Sequence, residues 1–190
     1  MVDAMAKIDE RADSDDLIFR ARVDTNALGM LYELYYERIF RFCVHRLFYK
    51  EAAEDVTSVV FLTVARKICS FKGRTKADFR NWLYAIAARQ TNSYIRKMLR
   101  RDKLLEKAVG SMTTADTDCP GELDWPILHT AVLKLKPKHQ TIITLRFFEN
   151  MDFKQIGKII NAREATVRVT LHRILKKLRC HLQLIVDGEE

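Results

Sequence analysis

Residues 152–179 read DFKQIGKIINAREATVRVTLHRILKKLR, and this stretch decides the fold of the second half of the chain. Asp152 is a good N-cap, and the apolar spacing after it predicts a short helix over 153–160. Asn161 tolerates the left-handed backbone conformation that ends a helix. A longer helix is then predicted from about 163 to 179. A short helix, a three-residue turn and a longer basic helix form a helix-turn-helix, whose second helix enters the major groove of DNA.

The second helix of this motif has two distinct faces. Its apolar stripe, at helical spacing, consists of Val167, Leu171, Ile174 and Leu178. Its other face carries Arg168, His172, Arg173, Lys176 and Arg179. A basic helical hairpin packed on itself is the alternative interpretation. The helix-turn-helix is favoured because the spacing, the cap and the charge all agree.

Upstream of the motif, a second group of helices is predicted from the apolar periodicity. One helix runs from about 26 to 49, a second from about 50 to 71, and a third from about 79 to 101. A short basic loop, Lys72-Gly73-Arg74-Thr75-Lys76, precedes the third helix. With only 6 Gly and 3 Pro in 190 residues, the composition also disfavours a turn-rich β fold. The fold class is therefore all-α, with two small helical domains.

The charge is unevenly distributed along the chain and marks the domain boundaries. The net charge of +8 comes mainly from two basic blocks: residues 66–107 carry 13 basic and 3 acidic groups, and residues 127–186 carry 12 and 3. Between them lies an acidic stretch rich in Gly, Ser, Thr and Asp. We therefore divide the chain into an acidic tail (1–16), a first domain (17–107), a flexible acidic linker (108–126) and a helix-turn-helix domain (127–186). Two separate basic blocks indicate two contacts with a polyanion.

Several other classes of protein are disfavoured by the sequence. The cysteines Cys43, Cys69, Cys119 and Cys180 show no metal-ligand or disulfide spacing, so reduced thiols are expected. The five histidines are scattered, and no phosphate-binding loop or nucleophile motif accompanies them, so no enzyme, metal or cofactor is predicted. Without a signal peptide or a long apolar run, we expect a cytoplasmic protein that does not enter membranes.

Two stretches resemble a known family, the bacterial RNA polymerase sigma factors of the small extracytoplasmic-function (ECF) type. AEDVTSVVFLTVARKICSF, with the later FRNWLYAIAARQTNSYIRK, resembles the second conserved region of that family. LKPKHQTIITLRFFENMDFKQIGKIINAREATVRVTLHRILKKLR resembles its fourth region. The resemblance implies an all-α protein that binds core RNA polymerase and promoter DNA and needs no cofactor. It covers most of residues 17–184, with no third domain between.

The resemblance also implies roles for residues in both basic blocks. The loop and last helix of the first domain would open the −10 element and hold its non-template strand, through Lys72, Gly73, Arg74, Lys76, Arg89, Asn92, Ser93 and Arg96. In that family this loop captures a flipped base. The recognition helix would read the −35 element through Arg168, Val169, His172 and Arg173, while Lys176 and Lys177 would contact phosphates.

The helix that docks on the polymerase clamp departs from the family pattern. The resemblance places Glu54, Asp55, Ser58, Val59 and Leu62 there, but members usually carry further acids where this chain has Ala52 and Val59. Thr63 lies one turn after Val59, and a phosphate on it would add about −1.5 to −2 charge. Two interpretations follow: a Ser/Thr kinase activates the protein at Thr63, or Glu54 and Asp55 suffice for docking. An anti-sigma factor is a third route of control.

Two rivals come from other classes of function. A stand-alone helix-turn-helix regulator would explain residues 127–184 but would leave the first domain without a role. An enzyme would need a site that no spacing in the sequence suggests. In-vitro transcription with core polymerase separates a sigma factor from a regulator, because only a sigma factor permits initiation.

Overall fold

The computed structural model describes residues 15–109 and 131–186, which are helical with no β-strand in these ranges. The helices are α1 (Thr25–Leu47), α2 (Lys50–Lys67), α3 (Lys76–Val109), α4 (Pro137–Ile143), α5 (Phe153–Ile160) and α6 (Glu164–Val186). A short 3-10 turn, Ile68–Ser70, follows α2, and a π-helical turn, Thr144–Phe148, extends α4. The predicted all-α fold with two helical domains is confirmed. The predicted acidic tail and linker lie outside the described residues except at 15–16 and at 108–109, where the last helix of the first domain continues into the predicted linker.

The ends of α1 follow from local chemistry. Asp24 is the N-cap, and its carboxylate accepts a hydrogen bond from the backbone N–H of Asn26. At the other end Phe48 adopts a left-handed backbone conformation with φ 58°, so the helix stops two residues before the predicted end. Phe48 donates its own N–H to the carbonyl of Val44, which satisfies one of the last free acceptors of the helix.

The first domain is a bundle of α1, α2 and α3 around one apolar core. The apolar stripe of α2, spaced by four residues, is buried, with Val56, Val60, Val64 and Ile68 all at 5% exposure or less. On α3 the apolar stripe from Phe79 to Leu99 is buried only in its first half. Phe79 and Leu83 lie in the core, whereas Met98 and Leu99 are exposed. The helix continues to Val109, so it is about 51 Å long at 1.5 Å per residue, and its later turns extend past the core.

The helix-turn-helix forms as the sequence predicts. Asp152 and Gln155 make a reciprocal capping box at the start of α5, and Asn161 closes that helix with φ 52°. The turn packs so tightly that a Cβ on Gly157 would come within 2.6 Å of the carbonyl oxygen of Ala162. The recognition helix α6 begins at Glu164, and the carbonyl of Arg163 accepts its first helical hydrogen bond. Its predicted apolar stripe is buried: Val167, Leu171, Ile174 and Leu178.

The two domains pack against each other in this structure. Helix α3 contacts both α4 and α5, and α1 contacts the π-helical turn. The buried apolar residues of both domains form one continuous cluster. The sequence did not predict this arrangement, because amphipathic periodicity identifies a buried face without identifying the element that covers it.

We expect Asp152→Ala to destabilise the helix-turn-helix. The substitution removes the side-chain acceptor for the Gln155 N–H, and losing such a cap costs about 1 kcal/mol. For two packed domains of about 150 residues, that loss of stability lowers the melting temperature by roughly 3 °C. The control is Lys154→Ala, since Lys154 is exposed in the same turn. Equal melting temperatures of Asp152→Ala and Lys154→Ala would show that the capping box contributes nothing to stability.

Candidate nucleic-acid interface

The recognition helix α6 presents its predicted DNA-binding side chains to solvent. The four predicted base readers and the two predicted phosphate contacts are all exposed: Arg168, Val169, His172, Arg173, Lys176 and Lys177. Arg168 is also held in place, because its guanidinium lies 2.9 Å from the carboxylate of Glu164 and 4.9 Å from the ring centroid of Phe153. The ion pair is exposed and contributes little stability, so its main effect is to orient the arginine.

The loop before α3 forms one wall of an open groove. Lys72 and Arg74 are exposed there, and Lys76 begins the helix. Gly73 is half-buried, and its carbonyl accepts a hydrogen bond of 2.6 Å from Arg22. The groove has a volume of about 700 Å³, and residues from the segment before α1 line its other side. It combines aromatic rings with cationic side chains, which are the two features that bind single-stranded nucleic acid.

The polar face of α3 is divided between solvent and the second domain. Arg89, Ser93 and Arg96 are exposed, as the predicted −10 interface requires. Asn92 instead is half-buried, and its side-chain oxygen accepts hydrogen bonds from Arg46 at 2.7 Å and from Thr141 at 3.3 Å. The structure therefore brings three of these four side chains to solvent and places Asn92 in the contact between the domains.

Arg46 is the most buried charged side chain at that contact, with 1% exposure. Its guanidinium donates to the side-chain oxygens of Gln140 and Asn92 and to the carbonyl oxygen of Pro137, at 2.6, 2.7 and 3.1 Å. Burial lowers the pKa of Arg46 to about 10, which leaves the group protonated at neutral pH. These three acceptors are neutral, so the charge is stabilised by dipoles that both domains supply.

Two further side-chain pairs join the domains. The hydroxyl of Tyr84 donates to the carboxylate of Glu149 in a short hydrogen bond. Burial and the neighbouring carboxylate raise the pKa of Tyr84, and burial raises the pKa of Glu149 as well. His45 packs on Phe148 with ring centroids 4.1 Å apart. Burial and the charge of Arg41 lower the pKa of His45, so a neutral imidazole is favoured at this contact.

The predicted docking residues form one exposed stripe on α2. Glu54, Asp55, Ser58, Val59 and Leu62 are all exposed, and their spacing places them on one side of the helix.

Thr63 lies at the edge of that stripe and is half-buried. Its hydroxyl donates to the carbonyl of Val59 at 2.8 Å, and the amide of Gln90 approaches it at 3.4 Å. Thr57, by contrast, is completely buried and offers no hydroxyl to a modifying enzyme.

The remaining chemistry-bearing residues form no further site within the described ranges. Cys43 is buried with its pKa raised to about 11, and Cys69 and Cys180 are exposed free thiols. Cys119 lies outside the described residues. Residues 15–109 and 131–186 hold no cluster of three or more metal-ligating side chains. In the same ranges, every helix is too short or too polar to cross a membrane.

Sequence reasoning missed Arg22 and Arg46. For Arg46 a signal existed, because it follows Phe42 by four residues and Cys43 by three, and so lies on the apolar stripe of α1. An arginine on a buried stripe indicates a buried polar partner. For Arg22 the local sequence carries no such signal, since its partner Gly73 is 51 residues away.

Comparisons with known proteins agree with this architecture. The model of sigma-70 region 2 matches residues 31–101, and that of sigma-70 region 4 matches residues 126–178. The ECF RNA polymerase sigma factor BldN of Streptomyces coelicolor is 28% identical over 180 residues, which cover 88% of this chain and 67% of that protein. The ECF RNA polymerase sigma factor SigW of Bacillus subtilis is 28% identical over 173 residues, covering 84% and 91% respectively.

Solved structures share the fold. The sigma factor RpoE of Bartonella quintana, solved in complex with the anti-sigma factor NepR, matches with a TM-score of 0.62 at 18% identity, covering 82% of this chain and 96% of that one. CnrH, solved with the cytosolic domain of CnrY, also matches with a TM-score of 0.62, at 15% identity, covering 93% and 99%.

The two matched regions, found in this order on the two helical domains, are those of a DNA-binding transcription initiation factor. The chain belongs to the sigma-70 family and is an RNA polymerase sigma factor of the ECF type. From here on we call the helical domain of α1, α2 and α3 region 2 and the helical domain of α4, α5 and α6 region 4.

Proposed function

We propose that region 4 reads the −35 element through α6 while region 2 opens the −10 element with its basic loop and α3. The observation that carries this proposal is the exposure of a row of cationic side chains along each of these helices. Cations on one helix face bind phosphates, and the same spacing lets neighbouring side chains reach base edges in the major groove. The stand-alone regulator is not favoured, because it leaves the region 2 interface without a role.

On α6 the base-reading side chains are Arg168, Val169, His172 and Arg173. Arginine forms paired hydrogen bonds with guanine, and an apolar side chain such as Val169 suits the methyl group of thymine. The contacts of Arg168 with Glu164 and Phe153 orient its guanidinium before DNA arrives. Lys176 and Lys177 lie further along the helix and contact the phosphate backbone.

In region 2 the non-template strand lies along α3 once the duplex has opened. Lys72, Arg74 and Lys76 hold its phosphates at the loop, and Arg89, Ser93 and Arg96 hold it along the helix. Gly73 lets the loop approach Phe71 closely at the groove. Asn92 joins this interface only after Arg46 and Thr141 release it, because both now donate to its oxygen.

Promoter binding requires region 4 to leave region 2. The −35 and −10 elements are about 25 base pairs apart, which is roughly 85 Å at 3.4 Å per base pair. A packed body of about 150 residues has a radius of gyration of roughly 15 Å, so it cannot reach both elements at once. We therefore propose that the packed arrangement is the free form, and that binding to core polymerase separates the regions.

The exposed stripe of α2 is the proposed docking face for core polymerase. Glu54 and Asp55 supply its acidic part, and Ser58, Val59 and Leu62 supply its polar and apolar parts. We propose that a Ser/Thr kinase completes this face by phosphorylating Thr63. The Gln90 amide lies 3.4 Å from the hydroxyl, and Arg66 and Lys67 follow Thr63 by three and four residues, so one donor and two cations lie on the same side of the helix as the phosphate.

A protein inhibitor is the second candidate for control. It is favoured by the two structural neighbours, one solved with an anti-sigma factor and the other with the cytosolic domain of another protein. An anti-sigma factor that held regions 2 and 4 together would block promoter binding for the geometric reason given above.

Arg173→Ala and Lys177→Ala separate base reading from phosphate binding. We expect Arg173→Ala to cost about 1–3 kcal/mol on the preferred −35 sequence and to relax the preference at one base pair. Lys177→Ala should weaken binding on all sequences alike and reduce the slope of log K against log salt by about 1. Holoenzyme binding to promoter duplexes at several salt concentrations measures both.

The control for this pair is Lys154→Ala, which removes a cation from α5 outside the proposed interface. Equal loss on preferred and scrambled −35 duplexes in Arg173→Ala would contradict the role in base reading.

A further inference from the structure

We propose that Arg22 is a positioning residue of the −10 loop: it holds the Gly73 carbonyl and thereby fixes the loop against the groove that takes an extruded base. This inference rests on the proposed role of the loop in opening the −10 element. It adds a residue that precedes both family-model matches, the first of which begins at residue 31. The groove is lined on one side by the segment before α1 and on the other by the loop.

The anchor is a direct hydrogen bond between distant parts of the chain. The Nη2 atom of Arg22 lies 2.6 Å from the carbonyl oxygen of Gly73. Hydrogen bonds from charged donors are among the stronger ones in proteins, and this one joins residues 51 positions apart. A second contact ties the same two segments together, since the Asp15 carboxylate accepts from the backbone N–H of Lys76.

Two aromatic rings hold the guanidinium in place. Its central carbon lies 5.1 Å from the ring centroid of Phe19 and 5.7 Å from that of Phe71. Both distances suit a cation–π interaction. The Phe71 ring is fixed in turn by Trp82, whose ring centroid is 4.8 Å away. These ring contacts orient the Arg22 guanidinium independently of its hydrogen bond to the Gly73 carbonyl.

The loop itself has little freedom at Gly73. A Cβ added there would lie 2.3 Å from Cζ of Phe71 and 2.7 Å from Cβ of Asp78. The backbone therefore passes directly over the Phe71 ring, with Arg22 holding the carbonyl. Lys72 and Arg74, on either side of the held carbonyl, are exposed to solvent.

The groove has the chemistry of a site for an unstacked base. Phe19 is 65% exposed and offers a face on which a base can stack. Lys72 and Arg74 supply the cations for the flanking phosphates. The Nε–H of Arg22 is buried with no hydrogen-bond partner among the described residues.

The variants separate the anchor from general charge and packing. Arg22→Met keeps the length and apolar stem of the side chain but removes every donor. Arg22→Lys keeps a cation whose N–H donors lie on a single nitrogen, and it is the conservative rescue. Arg20→Met is the matched control, because Arg20 belongs to the same segment and is exposed. Its side chain makes long ion pairs of 3.7 and 3.9 Å with Asp24 and Asp16.

The experiment measures binding of single-stranded −10 oligonucleotides to the full chain bound to core RNA polymerase, with all variants in the same phosphorylation state. Each oligonucleotide carries one abasic position. The unchanged protein should show one position at which removing the base weakens binding about tenfold to a hundredfold. In Arg22→Met that penalty should fall to within about twofold of the other positions, while affinity for the abasic strand stays the same. Arg22→Lys should restore part of the penalty, and Arg20→Met should retain all of it.

The outcomes distinguish this inference from the function on which it rests. A full abasic penalty in both Arg22→Met and Arg22→Lys would overturn the role of Arg22 alone. Absence of any penalty in the unchanged protein would overturn the −10 role of the loop and this inference with it. A uniform loss of affinity for every oligonucleotide, abasic ones included, would show a merely structural role and also overturn the proposal. If circular dichroism shows that Arg22→Met does not fold, Arg22→Lys decides the question. A penalty for the abasic position as large as that of the unchanged protein would then overturn the proposal, because the lysine ammonium cannot reproduce the planar fork of donors of arginine.

Discussion

Thr63→Ala is expected to weaken binding to core RNA polymerase at least tenfold and to abolish transcription from promoters that depend on this protein. The phosphate that the substitution prevents carries about −1.5 to −2 charge, next to a docking face that keeps only Glu54 and Asp55 as acids. Hydrogen bonds to charged groups contribute about 1.5–3 kcal/mol each, so one lost contact is enough for a tenfold effect. The measurement is core-polymerase binding by protein purified from cells that contain the kinase.

Three further variants make the Thr63 experiment specific. Thr63→Glu restores one negative charge and should recover part of the binding. Thr25→Ala removes an exposed threonine at the start of α1, away from the docking face, and should bind as the unchanged protein does. Ser58→Ala tests the neighbouring exposed hydroxyl. Normal transcription by Thr63→Ala would show that Glu54 and Asp55 suffice and would leave an anti-sigma factor as the favoured route of control.

Arg46→Ala is expected to lower the free energy of unfolding by about 3 kcal/mol and to separate regions 2 and 4. The substitution leaves the side-chain oxygen of Gln140 without its donor, and an unsatisfied buried acceptor costs about 1–3 kcal/mol. The oxygens of Asn92 and Pro137 also lose a charged donor and keep the hydroxyl of Thr141. The substitution also removes a buried charge whose partners are neutral dipoles. The folded protein then no longer carries the desolvation cost of that charge, which offsets part of the loss in stability. Urea denaturation measures the stability, and small-angle scattering measures the radius of gyration.

The control for Arg46→Ala is Arg41→Ala on the same helix. Arg41 is exposed and makes one ion pair of 3.8 Å with Glu37, so its loss should change neither stability nor size measurably. An unchanged radius of gyration in Arg46→Ala would contradict the view that this side chain joins the domains.

The helix-turn-helix could be predicted from sequence almost residue for residue. Asp152, Asn161 and the stripe from Val167 to Leu178 act through neighbours within four positions, so local spacing contains all the information required. The third helix was predicted less accurately, because it runs over Lys76–Val109 and not from about 79 to 101. Its apolar stripe continues to Leu99, yet the Leu99 side chain is exposed, because periodicity does not reveal where the packing partners of a stripe end.

The contacts between distant segments could not be predicted in this way. Arg46 donates a hydrogen bond to Gln140, which lies 94 positions away in the sequence, and Arg22 donates one to Gly73, which lies 51 positions away. The resemblance assigned Asn92 to DNA from its place on the polar face of α3, and that role remains a prediction. The structure adds that Asn92 is engaged by Arg46 while the two regions are packed, because the polar face of α3 points partly toward region 4.

Run-off transcription tests the central claim most directly. Core RNA polymerase is combined with the full chain, phosphorylated at Thr63 or carrying Thr63→Glu, on genomic fragments recovered by its binding in cells. We predict transcripts with a defined start that require the chain and are lost when either the −35 or the −10 element is scrambled. Duplex binding by the chain without initiation in either form would contradict the account and would identify a stand-alone helix-turn-helix regulator.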